Sequence, residues 1–211
     1  NTAQQIWEYI LPFARYGFNR AHAASYAMIS YQTAYLKANY PTQFMAAILT
    51  SDLGNTDRIA LEIAEAEKMG IEVMPPDINE SFTIFSMVVS EETKDKPRIR
   101  FGLGAIKNVG AHITKIIIHE RKENGPFKDL TDFLTRVQDK DLNKKSLESL
   151  IKSGSLDEFG ERNELLLNSD KLLKFSKRQD TSNGQSDLFS SSGIDTNFTL
   201  KLDSVEEATK Q

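Results

Sequence analysis

Apolar side chains in the first seventy residues recur at intervals of three and four, the spacing that places them on one side of an α-helix. Thr2 has the side chain of a helix N-cap, and the glycine and asparagine of Tyr16–Asn19 favour a turn that ends the first helix. The pattern predicts four helices, over about residues 2–13, 21–39, 41–53 and 57–70. We therefore predict a packed helical unit over residues 1–70.

The period changes to two after residue 70. Ile71–Met74 has the composition of a strand, and the following Pro75-Pro76 pair excludes a helix. Residues 82–89 and 98–101 are rich in β-branched and aromatic side chains, and the charged segment 90–97 separates them. This pattern predicts a small β-hairpin between two helical units.

The helical period returns after residue 102, with glycines between the segments. It predicts helices over about residues 111–122, 130–135, 143–152 and 161–177. Residues 179–211 are polar with few apolar side chains and are expected to be largely disordered. The predicted fold class is mainly α with a small β-hairpin insertion. The predicted domain boundaries are 1–70, 71–102, 103–178 and 179–211.

The composition excludes several kinds of chemical site and a membrane span. The 211 residues include no cysteine and three histidines, which excludes disulfides, thiolate metal sites and cysteine nucleophiles. No apolar run approaches the roughly 18 residues of a membrane span, and no signal peptide opens the sequence. Because an amphipathic pattern is already under way at Asn1, we expect the chain to be a piece of a longer one. The net charge is −4, yet residues 99–178 hold sixteen basic and twelve acidic groups, which permits a basic face.

The second predicted helix carries a polar stripe on an otherwise apolar surface. Such a helix is expected to be buried, with the stripe lining a site, and its N-terminus near Arg15 and Arg20 offers a place for a phosphate-bearing ligand. The alternative is an ordinary solvent-facing stripe. The stripe consists of His22, Tyr26, Ser30, Thr33 and Lys37.

Phe101–Gly110, followed by an amphipathic helix, has the pattern of a helix-hairpin-helix. In that motif the N–H groups that open the second helix face a DNA phosphate, and lysines add charge without base specificity. Residues 143–177 repeat the pattern imperfectly, so the two hairpins could grip both strands of a duplex; the alternative is a plain turn between helices with a glycine cap. The candidate DNA-binding residues are Gly104, Lys107, Asn108, Val109, Gly110, Lys115, Lys144, Lys145 and Gly154.

The polar tail contains a short segment typical of linear docking peptides, Gln185–Phe189. Leu188 and Phe189 would fill a pocket on a partner protein, and Gln185 would hydrogen-bond at its rim. The alternative is a chance apolar pair. The candidate residues are Gln185, Asp187, Leu188 and Phe189.

No catalytic centre is predicted. Nucleotidyl transfer needs clustered carboxylates that hold two metal ions. The only Asp-x-Asp sequence is Asp139–Asp141, which precedes a helix and is typical of a cap. No phosphate-binding loop of the G-x-x-x-x-G-K type and no nucleophile elbow is present.

From Asn1 to about Phe189 the order and spacing of these segments closely resemble the bacterial DNA polymerase III alpha subunit family, the C-family replicative DNA polymerases. The matching segments are Phe13–Tyr26, Ser30–Ala38, Pro75–Asn79, Phe101–Gly110 and Gly125–Phe127.

The resemblance implies a role for each part of the chain. Residues 1–70 would end the fingers domain, 103–178 would be the tandem helix-hairpin-helix that holds the duplex, and Gln185–Phe189 would bind the sliding clamp. Ala21 stands where the family is expected to have a small hydroxyl residue. The implied nucleotide-binding residues are Asn19, Arg20, His22 and Tyr26.

The resemblance also implies a cytoplasmic DNA-directed DNA polymerase as the complete chain, with this segment inactive alone. Magnesium would be held by aspartates upstream of Asn1. The implied partners are primer–template DNA, a deoxynucleoside triphosphate, the sliding clamp and other replicase subunits, with no membrane. Two alternatives are a self-contained helix-hairpin-helix DNA-binding scaffold and a helical protein-interaction domain that binds no nucleic acid.

Overall fold

The computed structural model describes residues 1–16, 20–89, 98–182 and 202–204, and the fold within these ranges is mainly helical with one small sheet. The α-helices are α1 Thr2–Tyr16, α2 Arg20–Asn39, α3 Pro41–Ser51, α4 Thr56–Lys68, α5 Ala111–Asn124, α6 Leu130–Arg136, α7 Lys144–Lys152, α8 Arg162–Leu167 and α9 Ser169–Ser182. Within the described ranges, 3₁₀ turns lie at Leu103–Ala105 and Asp157–Phe159. The strands are β1 Glu72–Met74, β2 Ser86–Val88 and β3 Arg98–Arg100. The predicted fold class is confirmed.

The sheet has three strands in the order β1-β3-β2. β2 and β3 are antiparallel, with Met87 opposite Ile99, as expected for the predicted hairpin. β1 adds a parallel pairing on the other edge of β3, with Val73 opposite Ile99. The Ile99 side chain on the central strand is completely buried, because α3 and α4 pack on the sheet around it. The insertion is therefore larger than a two-stranded hairpin, since a strand predicted separately at Ile71–Met74 joins it.

Two hydrophobic cores meet at Phe101. One joins α3 and α4 to the sheet around Met45, Leu49 and Ile99. The other lies among the helices after the sheet, where Phe133 is fully buried, and Phe101 packs against both cores. This shared side chain connects the sheet to the helices that follow it.

Helix α1 and most of α2 do not form the packed unit predicted from the sequence. Trp7 on α1 is 60% exposed, and Tyr31 on α2 is 67% exposed. Apolar side chains cover the surface of α2 outside the polar stripe, and within the described residues many of them are exposed. The C-terminal end of α2 is held to α4 by Lys37, whose Nζ lies 2.9 Å from Glu65 Oε1. The expectation of a buried α2 was therefore wrong within the described residues.

The helix predicted over 161–177 is interrupted at Asn168. The Asn168 side-chain amide donates to the Glu164 carbonyl at 2.9 Å, which ends α8, and α9 begins at the next residue. Asn168 also pairs with the backbone of Asp203: the Asp203 N–H donates to Asn168 Oδ1, and the Asp203 carbonyl accepts from Asn168 Nδ2, both at 3.0 Å. Leu202 packs against the adjacent core. The composition of the tail did not predict this docked segment.

The loop that follows β1 connects the sheet to the hairpin helices. The Asn79 side chain donates to the Phe127 carbonyl at 3.0 Å and accepts the Phe127 N–H at 2.8 Å. The neighbouring Ile78 N–H donates to the Ser155 carbonyl at 3.0 Å. This loop therefore fixes the turn before α6 and the turn after α7 relative to each other. Among the described residues, no helix is both long and apolar enough to cross a bilayer.

Candidate nucleic-acid interface

The first hairpin consists of the 3₁₀ turn at Leu103–Ala105, a tight turn and α5. Asn108 occupies the left-handed region with φ of 66°, which asparagine tolerates better than most residues. Its side-chain amide donates to Ser149 Oγ at 3.2 Å, so the turn is braced against α7. Val109 is buried beneath the turn. These contacts hold the start of α5 at the surface in a fixed position.

The N-terminus of α5 is open. Gly110 is the N-cap, has an extended backbone with φ of −72°, and offers no side chain to cap the helix. An added Cβ at this position would meet nothing within 4 Å. Because the first N–H groups of a helix have no intrahelical acceptor and carry a partial positive charge, this end can bind an anion that approaches the backbone.

Two predicted lysines flank this open end. Lys107 precedes the turn and Lys115 lies one helical turn after Ala111, and both are exposed. Within the described residues neither forms a salt bridge. Their charges are thus available to an anion bound at the α5 N-terminus.

The close backbone approach at Gly104 is to Thr83 of the same chain. Its N–H donates to the Thr83 carbonyl at 2.9 Å, and an added Cβ would lie 2.7 Å from that oxygen. The residue is needed for packing against the segment before β2. A DNA contact at Gly104 would therefore have to use an atom other than its amide.

The second hairpin differs from the first at its turn. Gly154 has φ of +86° and closes α7, with the Ser155 N–H donating to the Leu150 carbonyl at 3.1 Å. The following helix is capped by its own Glu161, whose Oε2 accepts the Glu164 N–H at 3.0 Å. A carboxylate therefore occupies the position that an anion would take. The two hairpins are alike in outline but not in the charge they present.

Lys144 and Lys145 open α7 at the other end of the second hairpin. The Asn143 side chain caps this helix by accepting the Lys145 and Ser146 N–H groups. Lys144 Nζ donates to Asp170 Oδ2 at 2.8 Å, and this hydrogen bond raises the pKa of Lys144. Lys145 is exposed and forms no salt bridge within the described ranges. Both lysines can act as point charges, whereas the helix N–H groups are already used.

The predicted nucleotide-binding residues are only partly described. The rings of His22 and Tyr26 lie on one face of α2, with centroids 4.4 Å apart and a tilt of 57°. Asn19 and the side chain of Arg20 are outside the described residues, as are the predicted clamp-binding residues Gln185–Phe189. The pairing of His22 with Tyr26 follows from their spacing of four, as predicted.

Sequence reasoning missed a cluster beside the start of α5. His112 Nδ1 lies 3.1 Å from Asp141 Oδ2 and 3.5 Å from Asp139 Oδ1. Asp139 also accepts the Asp141 N–H at 2.8 Å within the loop, but the N-cap of α7 is Asn143, so the capping role predicted for this Asp-x-Asp sequence was wrong. No spacing rule could have found a contact between residues this far apart in the chain. The cluster places the loop between α6 and α7 directly against the first turn of α5.

Comparison with known proteins agrees with this geometry. The helix-hairpin-helix motif family matches residues 70–165, which include the sheet and both hairpin turns. The DNA polymerase III alpha subunit of Campylobacter jejuni is 43% identical over 99% of this chain and 18% of its own length. That of Thermus aquaticus is 47% identical over 82% of this chain and 14% of its own length. That of Mycobacterium tuberculosis is 42% identical over 93% of this chain and 17% of its own length.

The chain spans less than a fifth of the length of these curated relatives. The matches cover nearly all of its residues, and they include the open hairpin that begins at Leu103. The chain belongs to the DNA polymerase III alpha subunit family.

Proposed function

We propose that this chain is the part of a replicative DNA-directed DNA polymerase that holds duplex DNA by its phosphate backbone. The observation that carries the proposal is the uncapped N-terminus of α5, flanked by the exposed Lys107 and Lys115. Helix N–H groups bind phosphate oxygens from either strand and any sequence, which suits an enzyme that moves along DNA.

The two hairpins contribute unequally to this grip. At the first, backbone N–H groups, the helix dipole and two lysines act on the same phosphate region. At the second, Glu161 already caps the helix, so binding there would depend on Lys145 and on Lys144 if it exchanges Asp170 for a phosphate. Phosphate recognition through N–H groups is thus assigned to the first hairpin.

We assign incoming-nucleotide positioning to α2. His22 and Tyr26 form an exposed ring pair, and a ring pair of this kind can stack on a base or a ribose. Asn19 and Arg20 adjoin the pair in sequence and complete the nucleotide-binding set that the family resemblance implies.

Clamp docking is assigned to Gln185, Asp187, Leu188 and Phe189 on their sequence alone. Binding to a ring that encircles DNA would raise the effective concentration of the polymerase at the primer end. Substitution of Leu188 and Phe189 by alanine would then abolish clamp binding without loss of the fold.

The magnesium ions of the complete polymerase are assigned to residues outside this chain. Among the described residues, the cluster that could hold a cation offers two carboxylates and the His112 imidazole. Mg²⁺ prefers oxygen ligands in octahedral geometry, so this donor set does not fit a two-metal polymerase centre. We derive no catalytic step from it.

The grip is tested by the affinity of the 211-residue chain for a fluorescent primer–template duplex across a salt series. Lys107→Gln with Lys115→Gln should lower the slope of log affinity against log salt by about one unit per lysine. The matched control is Lys122→Gln with Lys128→Gln, which makes the same charge change at exposed positions near the other end of α5. Equal slopes for the two double variants would contradict the proposed interface.

A further inference from the structure

A groove of about 750 Å³ lies between the loop that follows α6 and helix α9. Its floor is apolar, with Leu142 and Leu173 both buried. The family match ends at residue 165, so α9 lies beyond it. The walls carry four lysines, Lys140, Lys144, Lys174 and Lys177.

The charges of the groove are unbalanced. Four ammonium groups face two carboxylates, those of Asp139 and Asp170. Asp170 is already paired with Lys144, and Asp139 lies beside His112. The other three lysines are exposed and form no salt bridge within the described residues. Like charges that converge on one groove repel each other, and a polyanion relieves that repulsion.

The groove borders the first turn of α5 through Asp139. Asp139 lines the groove and also contacts His112, which lies in the first turn of α5. Asp141, in the same loop, also contacts His112, so two carboxylates lie beside the first turn of α5. A DNA strand held at the first hairpin would therefore pass this acidic pair before it reaches the lysines of the groove.

We propose that this groove binds the phosphodiester backbone of the DNA that the first hairpin holds. Lys140, Lys174 and Lys177 would add contacts outside the predicted set, and α9 would become part of the interface. The inference rests on the proposed function, because it extends the path of the same duplex.

The groove would act through point charges. The N–H groups at the start of α7 are taken by Asn143, so no helix end is available within it. Each lysine that contacts a phosphate should contribute about one unit of salt dependence and no base preference. The Asp139 carboxylate lines the groove and should oppose the binding of DNA. Replacing it by a neutral side chain should therefore strengthen DNA binding.

The experiment uses the 211-residue chain, the same primer–template duplex and the same salt series. Lys174→Gln with Lys177→Gln should lower the slope by about two units, as much as Lys107→Gln with Lys115→Gln. The control Lys122→Gln with Lys128→Gln, neither of which lines the groove, should leave it unchanged. Asp139→Asn, which keeps the oxygen that accepts the Asp141 N–H, should raise affinity severalfold. Unchanged urea midpoints would establish that each variant is folded.

The failure of this inference is distinguishable from that of the proposed function. If Lys174→Gln with Lys177→Gln (the groove variant) behaves like the control while Lys107→Gln with Lys115→Gln (the hairpin variant) lowers the salt slope, the groove does not contact DNA and the hairpin interface remains. If neither variant differs from the control, both the groove proposal and the hairpin interface are wrong. If the groove variant keeps DNA binding but loses binding to polyglutamate, the groove is a site for acidic polypeptides and the inference is overturned.

Discussion

Gly102 should be among the least replaceable glycines of the hairpin unit. A Cβ added there would lie 2.6 Å from the Ile84 carbonyl carbon and 2.7 Å from the Thr83 carbonyl oxygen, both backbone atoms. Real Cβ atoms do not approach this closely, so the segment before β2 would have to move. Two hydrogen bonds cross this contact, from Leu103 N–H to the Phe82 carbonyl at 2.8 Å and from Gly104 N–H to the Thr83 carbonyl at 2.9 Å.

The cost of Gly102→Ala can be estimated from these contacts. Overpacking at a site that cannot relax costs about 1–3 kcal/mol. Weakening the two hydrogen bonds adds about 1 kcal/mol each. The smaller conformational freedom of alanine in the unfolded chain returns about 0.4–1 kcal/mol. We therefore expect a net destabilisation of roughly 2–4.5 kcal/mol.

Urea unfolding followed by far-ultraviolet circular dichroism measures this difference, with an unchanged m-value showing that stability alone has changed. The matched control is Gly110→Ala, where the backbone is extended and the space around the Cβ is open. We expect that control to stay within about 1 kcal/mol of the unsubstituted chain. If Gly102→Ala is as stable as Gly110→Ala, the reasoning about close backbone approach is wrong.

Two further predictions concern the connections around the hairpins. Asn79→Ala should destabilise the chain by about 2–3 kcal/mol in the same urea assay, because it leaves the buried Phe127 N–H and carbonyl without their partner. The control Asn163→Ala, at the exposed start of α8, should have almost no effect. The Arg162 hydrogen bond lowers the pKa of Asp157 below its ordinary value of 3.8, so its stabilisation is present above that value and is lost as pH falls through the lowered pKa of the folded state. Asp157→Asn should remove this stabilisation, which is less than about 1 kcal/mol because both side chains are nearly half exposed, so the melting temperature should fall less steeply as the pH is lowered. An acid limb as steep as that of the unsubstituted chain would contradict the prediction.

The sequence predicted most helices well because their periodicity and caps are local. The glycine that ends α7 was predicted from residue type, whereas Asn143, predicted as the first residue of that helix, is its N-cap. The break at Asn168 was not predicted, since asparagine is tolerated in helices and its role here depends on Asp203, thirty-five residues later. Long-range pairing of this kind has no signature in local spacing.

The candidate site was predictable to a similar degree. The hairpin at Phe101–Gly110 could be identified from its glycines and lysines. In the structure, Lys107 and Gly110 lie at the surface. Gly104 was assigned to DNA because spacing cannot tell whether a close approach is made to a ligand or to the chain itself. The expectation that α2 is buried was wrong for a related reason. An apolar surface predicts that other residues pack on it, but not which residues these are.

The proposed interface requires the first hairpin, and not the second, to offer open helix N–H groups to phosphate. The most direct measurement is the amide chemical-shift change of an isotope-labelled chain when primer–template duplex is added at low salt. The amides at the start of α5, His112 and Ile113, should shift strongly, while the Glu164 amide, already bonded to Glu161, should shift little. Large shifts at Glu164 with none at His112 and Ile113 would contradict the account.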